Sequence, residues 1–249
     1  MTSPDRFFSD PTLARLYDAI CETAGREDYA FYLPYIMTAG RVLDIGCGTG
    51  TLLEAALKAG HKGRLTGLDP ASGMMEIART KPGIDWICGY LEAQEWEARF
   101  DLAVMTGHAF QVLVSDEAIA SFLAAVHGAL MPGGCFMFET RNPGARAWEG
   151  WTGEREKAVS VAGETYVDRR DVIRPFDGHT VTFTHTFSSP AWPEPEVSTS
   201  TLRFLSPEAL NVALAKSGFS IHAQYGNWDL SPVTQTSPEI ITIAKRNAR

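Results

Sequence analysis

Arg41-Val42-Leu43-Asp44-Ile45-Gly46-Cys47-Gly48-Thr49-Gly50 is the stretch on which the fold turns. Strand-like residues run into three glycines at alternate positions. Leu52 to Ala59 follows, in residue types that favour helix. A strand, a glycine turn and a helix make a junction where a nucleotide-like ligand can sit. Backbone N–H groups are bare there, and the helix N-terminus adds partial positive charge. The dinucleotide fingerprint G-x-G-x-x-G does not fit, because Thr51 stands three residues after Gly48. The pattern is instead Asp-x-Gly-x-Gly-x-Gly.

Outward from this loop the chain alternates strands and helices. Gly63 to Pro70 reads as a second strand ending in Asp69, 19 residues beyond Gly50. In a parallel sheet that carboxylate lies beside the glycine loop and can accept from a ribose diol. It also suits a turn before Pro70. Ser72 to Thr80 starts a helix whose Met74 can lie against a flat ring or pack in the core. Ile84 to Cys88 is a third strand, followed by Gly89-Tyr90-Leu91-Glu92, and Phe100 to Met105 is a fourth. Thr106, His108 and Gln111 follow at the carboxyl edge, where open α/β sheets bind ligands. Ala118 to Leu130 is a helix, Met131-Pro132-Gly133-Gly134 breaks it, and Cys135 to Glu139 is the fifth strand.

Before the loop, Pro11–Ile20 puts Leu13, Leu16, Tyr17 and Ile20 on one helical face. Asp28 to Met37 suggests a second helix, with Pro34 as a bend. This segment either caps the sheet or brings Tyr17 or Tyr32 to the ligand. From Asn142 to about Phe204 the texture changes. Ala158–Ala162, Thr165–Arg174 and Thr180–Phe187 read as strands, the last with strict period two, and Phe176-Asp177-Gly178-His179 is a hairpin turn signal. This antiparallel insertion is either a structural extension or a lid. Ser206-Pro207 then opens a helix, and Phe219–Tyr225 and Glu239–Ala244 close the sheet.

The acidic loop, the strand-ending Asp69, Phe100-Asp101-Leu102 and Leu130-Met131-Pro132-Gly133-Gly134 together resemble the class I S-adenosylmethionine-dependent methyltransferases. The resemblance implies an α/β, Rossmann-like seven-stranded sheet of order 3-2-1-4-5-7-6 with an antiparallel last strand. The expected division is a cofactor-binding domain of residues 1–141 and 205–249, with an inserted antiparallel β lid over 142–204. It implies S-adenosyl-L-methionine contacts from Asp44, Gly46, Gly48, Gly50, Asp69, Pro70, Met74, Tyr90, Leu91 and Thr106. Asp44 is expected to tether the ligand's ammonium, directly or through water. Where the family usually has an adenine-contacting Asp, this chain has Tyr90. Tyr90 can stack or hydrogen-bond, Leu91 can contribute its backbone, or Glu92 can substitute. His108 is a candidate catalytic base or a positioning residue, and Gln111 a candidate substrate contact.

The 249 residues carry 45% hydrophobic and 21% charged side chains, a net charge of −8 and a pI of 5.3. With no basic run, nucleic acid is not the expected substrate. A small-molecule N or O acceptor is expected instead. The other readings are a protein that binds S-adenosylmethionine without turnover and a nicotinamide-dependent oxidoreductase. Cys21, Cys47, Cys88 and Cys135 lie too far apart in sequence to suggest a metal knuckle. No 18-residue apolar run or signal-peptide pattern is present, so a cytoplasmic protein without a membrane span is expected.

Overall fold

The computed structural model describes residues 3–22, 26–154 and 156–247. Three helices, α1 (Arg6–Ser9), α2 (Pro11–Glu22) and α3 (Glu27–Thr38), precede the first strand, and α3 continues through Pro34. Then β1 (Arg41–Ile45), α4 (Thr51–Lys58), β2 (Arg64–Asp69), α5 (Ser72–Ala78), β3 (Asp85–Cys88), β4 (Phe100–Met105), α6 (Asp116–Ala129) and β5 (Leu130–Arg141) alternate. Four strands follow: β6 (Glu156–Val161), β7 (Glu164–Arg174), β8 (Thr180–Ser188) and β9 (Glu196–Arg203). The chain ends with α7 (Pro207–Lys216), β10 (Phe219–Tyr225) and β11 (Glu239–Arg246).

The large sheet has the order β10-β11-β5-β4-β1-β2-β3. β1 to β5 run parallel, while β11 is antiparallel to both β5 and β10. This is the expected seven-stranded order, with β10 and β11 as its sixth and seventh strands. The chain leaves β1 toward β2 on one side and returns through β4 on the other. The glycine loop after β1 therefore stands where the strand order reverses, which is where such sheets hold ligands.

Period-two alternation feeds two cores. Leu43, Ile45, Phe100, Ala103, Phe136 and Phe138 bury one face against α6 and α7. Val42, Leu102, Val104, Met137, Ile241 and Ile243 bury the other against α3 and α4. Helix ends follow the residues at their starts. Ser115 Oγ accepts the Ala118 N–H at 3.1 Å and Ser206 Oγ accepts that of Ala209 at 3.2 Å, with Pro207 in the first turn of α7.

Two strands differ from expectation. The fifth strand starts at Leu130, not Cys135, because Leu130 already pairs with Phe100. The register then jumps to Leu102 opposite Cys135, so Met131-Pro132-Gly133-Gly134 is a bulge within the strand and not a break before it. In the insertion, β9 is an additional strand drawn from Glu196-Val197-Ser198-Thr199-Ser200-Thr201-Leu202-Arg203.

β6 to β9 form a separate antiparallel sheet in sequential order. Its buried face takes Val159 and Phe187 against Phe7, Leu13, Leu16 and Ile20 of α1 and α2. The Phe7 N–H donates to Ser198 Oγ at 2.8 Å, and Ser200 donates to Asp5 at 2.6 Å. On its other side α2 meets α5, where Ala14, Ala71 and Met74 are buried together beside Phe8 and Tyr17. Helix α2 is thus wedged between the small sheet and the ligand-binding edge of the large one.

Trp86 of β3 lies across the backs of β2 and the glycine loop. A Cβ at Gly67 would stand 2.3 Å from its ring, and one at Gly50 also 2.3 Å. The Trp86 indole N–H donates to the Lys81 carbonyl at 2.8 Å, so the ring cannot turn aside without losing that bond. Gly67→Ala should therefore destabilise the fold by about 1–3 kcal/mol, the usual range for overpacking. An unchanged thermal unfolding midpoint would mean that Trp86 swings away freely. Among the described residues, no helix is long and apolar enough to cross a membrane.

Candidate active site

The site begins with backbone geometry. Gly46, Gly48 and Gly50 all have positive φ, at 69°, 56° and 81°, which side chains resist and glycine does not. The Gly46 N–H is held by the Leu68 carbonyl at 2.8 Å, and that of Gly50 by Cys47 at 2.9 Å. A Cβ on Gly48 would meet nothing within 4 Å. The loop is therefore pinned from behind and open at Gly48.

Asp69, at the end of β2, is the tie between the two strand ends. One carboxylate oxygen accepts the Gly48 N–H at 2.9 Å and the other the Ala71 N–H at 2.8 Å. Each oxygen keeps a further lone pair for a ligand. Burial raises the Asp69 pKa against the lowering effect of these two bonds.

Asp44 is different. It is 1% exposed, and its Oδ1 has no hydrogen-bond partner among the described residues. Burial, followed by the nearby Asp69 charge, pushes its pKa well above the usual carboxylate range. A buried carboxyl without a partner is costly unless something satisfies it.

The N-terminal segment covers this floor. Tyr17, Arg26, Tyr29, Asp44, the loop from Gly46 to Thr49, Thr51, Leu52 and Thr106 enclose a cleft of only about 20 Å³. Thr49 donates to Asp18 at 2.7 Å, and the Tyr29 hydroxyl bonds that of Thr51. The Arg26 guanidinium grips Asp28 through two bonds, at 3.0 and 2.8 Å, and lies 3.7 Å from the Tyr29 ring centroid. Sites for drug-sized ligands measure about 300–1,000 Å³, so this cleft is in a closed state.

A polar network continues along the carboxyl edge. The buried Tyr32 hydroxyl donates to Glu139, whose other oxygen accepts the His108 N–H at 2.9 Å. His108 has φ of 61°, a left-handed conformation, and its Nε2 lies 2.8 Å from Glu239. Burial first, then the charge of Arg141, push the His108 pKa down to about 3. Burial lifts Glu239 to about 7, against the opposing pull of Arg141. Both directions leave the imidazole neutral. Gln111 is buried and engaged at both ends: its oxygen accepts from Arg141 at 3.0 Å and its amide donates to the Arg203 carbonyl at 2.9 Å.

The structure thus gathers Asp44, Gly46, Gly48 and Thr106 around one cleft, with Asp69 tied to the same loop. Met74 is buried against α2. Pro70, Tyr90 and Leu91 are outside the residues lining this closed cleft. Leu91 is buried in the core, and burial together with Asp69 raises the Tyr90 pKa. Sequence reasoning missed Arg26, Tyr29, Glu139 and Glu239. Glu139, near the end of β5, could have been found from its place at the carboxyl edge. Arg26 and Tyr29 carried no comparable signal.

Residues 42–134 match the model of a methyltransferase-domain family. Malonyl-[acyl-carrier protein] O-methyltransferase of Priestia megaterium is 32% identical over 102 residues, covering 40% of this chain and 36% of the relative. A ubiquinone biosynthesis O-methyltransferase of Bradyrhizobium is 29% identical over 134 residues, covering 52% and 47%. The chain therefore spans less than half the length of these two curated relatives. Among solved structures, an S-adenosylmethionine-dependent methyltransferase from Clostridium acetobutylicum superposes with a TM-score of 0.74 at 16% identity, covering 95% of this chain and 98% of that one. CalS10, an amino pentose methyltransferase of Micromonospora echinaspora solved with S-adenosylmethionine bound, gives 0.67 at 22%, covering 93% and 97%. Glycine loop, strand order and family match agree: residues 42–134 are similar to a methyltransferase domain, in a chain with the class I S-adenosylmethionine-dependent methyltransferase fold.

Proposed function

We propose that the chain transfers a methyl group from S-adenosylmethionine to a nitrogen or oxygen nucleophile of a small-molecule acceptor. The observation that carries this is the unpaired buried oxygen of Asp44, beside a glycine loop open at Gly48. An ammonium group supplies the missing partner, and the absent Cβ at Gly48 admits a ligand against the backbone. Asp69, with a spare lone pair on each oxygen, is suited to a ribose diol. Nothing in this donor set calls for phosphate, and the carboxylates would repel one.

The bound cofactor would supply an already activated methyl group on a sulfonium. The chain's residues then have to align an acceptor and exclude water, and alignment can lower a barrier by about 7–11 kcal/mol. The wedge of α2 supports a lid role for residues 142–204, since a shift of the small sheet would carry Tyr17 with it. The neutral His108, with Nε2 engaged by Glu239 and its N–H by Glu139, suits positioning better than proton abstraction. Tyr32, Glu139 and Glu239 extend that scaffold along the acceptor side.

Titration calorimetry with S-adenosylmethionine, S-adenosylhomocysteine and NAD tests the cofactor. Both sulfur ligands should bind and NAD should not; binding of NAD alone would overturn the reading. A screen of small amines and hydroxylated or acidic metabolites for S-adenosylhomocysteine release then tests turnover. Cofactor binding without release on any acceptor would favour a protein that holds S-adenosylmethionine without turning it over.

A further inference from the structure

Two guanidinium groups beside the polar network of the carboxyl edge leave most of their N–H groups without a protein acceptor among the described residues. Arg141 is the last residue of β5, at the carboxyl edge of the large sheet. Arg170 is in β7 of the small sheet, opposite His185. Both lie against the Trp151 ring, with guanidinium carbons 5.4 and 5.3 Å from its centroid, and Arg170 is also 5.3 Å from that of Phe183. Tyr17, which lines the cofactor cleft, is a neighbour of Arg141.

A guanidinium has five N–H donors. Among the described residues, Arg141 spends one of them, on Gln111, and Arg170 none on any acceptor. Neither makes a salt bridge, although carboxylates are near. Those carboxylates are engaged elsewhere: Glu139 by Tyr32 and the His108 N–H, Glu239 by His108, and Asp168 by His185 at 2.8 Å. Burial lowers the pKa of both arginines, Arg141 to about 10, yet each stays charged at neutral pH. Two half-buried cations about one aromatic ring repel each other, and an anion between them relieves that repulsion.

We propose that Arg141 and Arg170, gathered at Trp151, bind a carboxylate carried by the methyl acceptor. This rests on the methyltransferase reading above and narrows its acceptor to carboxylic acids. A planar carboxylate matches the guanidinium fork. A cationic group at the same point would meet both arginines. Glu139, Glu239 and Asp168 lie around the arginines, so a doubly charged phosphate would be opposed more strongly than a single negative charge. One arginine comes from each sheet, so the acceptor's anion would also draw the small sheet onto the large one.

The test uses the full chain, with and without S-adenosylhomocysteine, titrated with four aromatic probes: 3-phenylpropionate, its primary amide, phenyl phosphate and phenethylamine. The carboxylate should bind at least about tenfold more tightly than its amide, a difference of about 1.4 kcal/mol, and more tightly than the other two. Arg170→Gln and Arg141→Gln should each remove that preference while S-adenosylhomocysteine affinity and the unfolding midpoint hold. Arg170 is on the small sheet, away from the glycine loop, so its variant remains informative if Arg141→Gln folds poorly. Tighter binding of the phosphate or the amine, no binding of any probe, or a preference that survives Arg170→Gln would overturn the proposal. Failure of S-adenosylhomocysteine itself to bind would instead sink the cofactor reading, which the probes leave aside.

Discussion

Asp69→Ala is expected to weaken S-adenosylmethionine binding by about a hundredfold or more, equivalent to about 2.7 kcal/mol. The carboxylate does two things at once. It offers acceptors to the ribose, and hydrogen bonds to a charged group contribute about 1.5–3 kcal/mol each. It also fixes the Gly48 N–H, and so the shape of the loop that the ligand must approach. Removing it leaves the N–H groups of Gly48 and Ala71 without their acceptor, so the free protein should lose stability as well. Asp69→Asn should fall between, since its amide oxygen can serve only one of the two N–H groups. Calorimetry and thermal unfolding separate the effects. An Asp69→Ala protein with a lowered midpoint and undiminished affinity would remove Asp69 from the ligand and leave it a loop anchor.

S-adenosylmethionine binding should release a proton through Asp44, and affinity should rise with pH. Burial holds this carboxyl protonated well above its ordinary range in the free protein. An ammonium brought against it favours the ionised form, so the complex binds fewer protons than the free chain. Between the pKa of the complex and that of the free protein, raising the pH therefore drives binding. The same shift has the opposite sign for folding. The folded chain binds more protons than the unfolded one above pH 3.8, so the Asp44 contribution to stability is full below that value and is lost as pH rises. Glu239, raised to about 7 from 4.5, adds a loss of the same sign over that window. Asp44→Asn should flatten part of the stability profile and abolish the Asp44-linked proton release. It should also cost about tenfold to a hundredfold in affinity, as expected for one charge-assisted bond. Calorimetry in two buffers of different ionisation enthalpy measures the proton count directly. A wild-type count of zero would show that Asp44 does not meet the ammonium.

The parts legible in sequence were those encoded locally. Gly46, Gly48 and Gly50 announced their turn because only glycine takes three positive φ values so closely spaced. Asp69 announced itself because strand, turn and helix lengths fix where the second strand ends. β8 was legible from alternation, with Val181, Phe183, His185 and Phe187 all buried. β9 was not, because Ser198 and Ser200 supply its buried face and neither is apolar. Their partners, Phe7 and Asp5, lie 191 and 195 residues away and leave no mark on the local pattern. Pro132-Gly133-Gly134 reads as a stop locally, whereas pairing of Leu130 with Phe100 makes it a bulge. The Tyr32–Glu139 and His108–Glu239 bonds span 107 and 131 residues, so that side of the site exists only once the sheet has formed.

The closed cleft sets a kinetic condition on everything that binds there. Arg26 is locked to Asp28 and stacked on Tyr29, and Tyr29 is bonded to Thr51 at the start of α4. A ligand can enter only during the fraction of time that these contacts are broken. The observed dissociation constant is then the intrinsic one divided by that fraction. With rare, slow opening, the observed association rate should level off as cofactor concentration rises, at the opening rate of this latch. Loosening the latch, for instance by Tyr29→Phe, would raise that plateau and tighten apparent binding without adding a contact to the ligand.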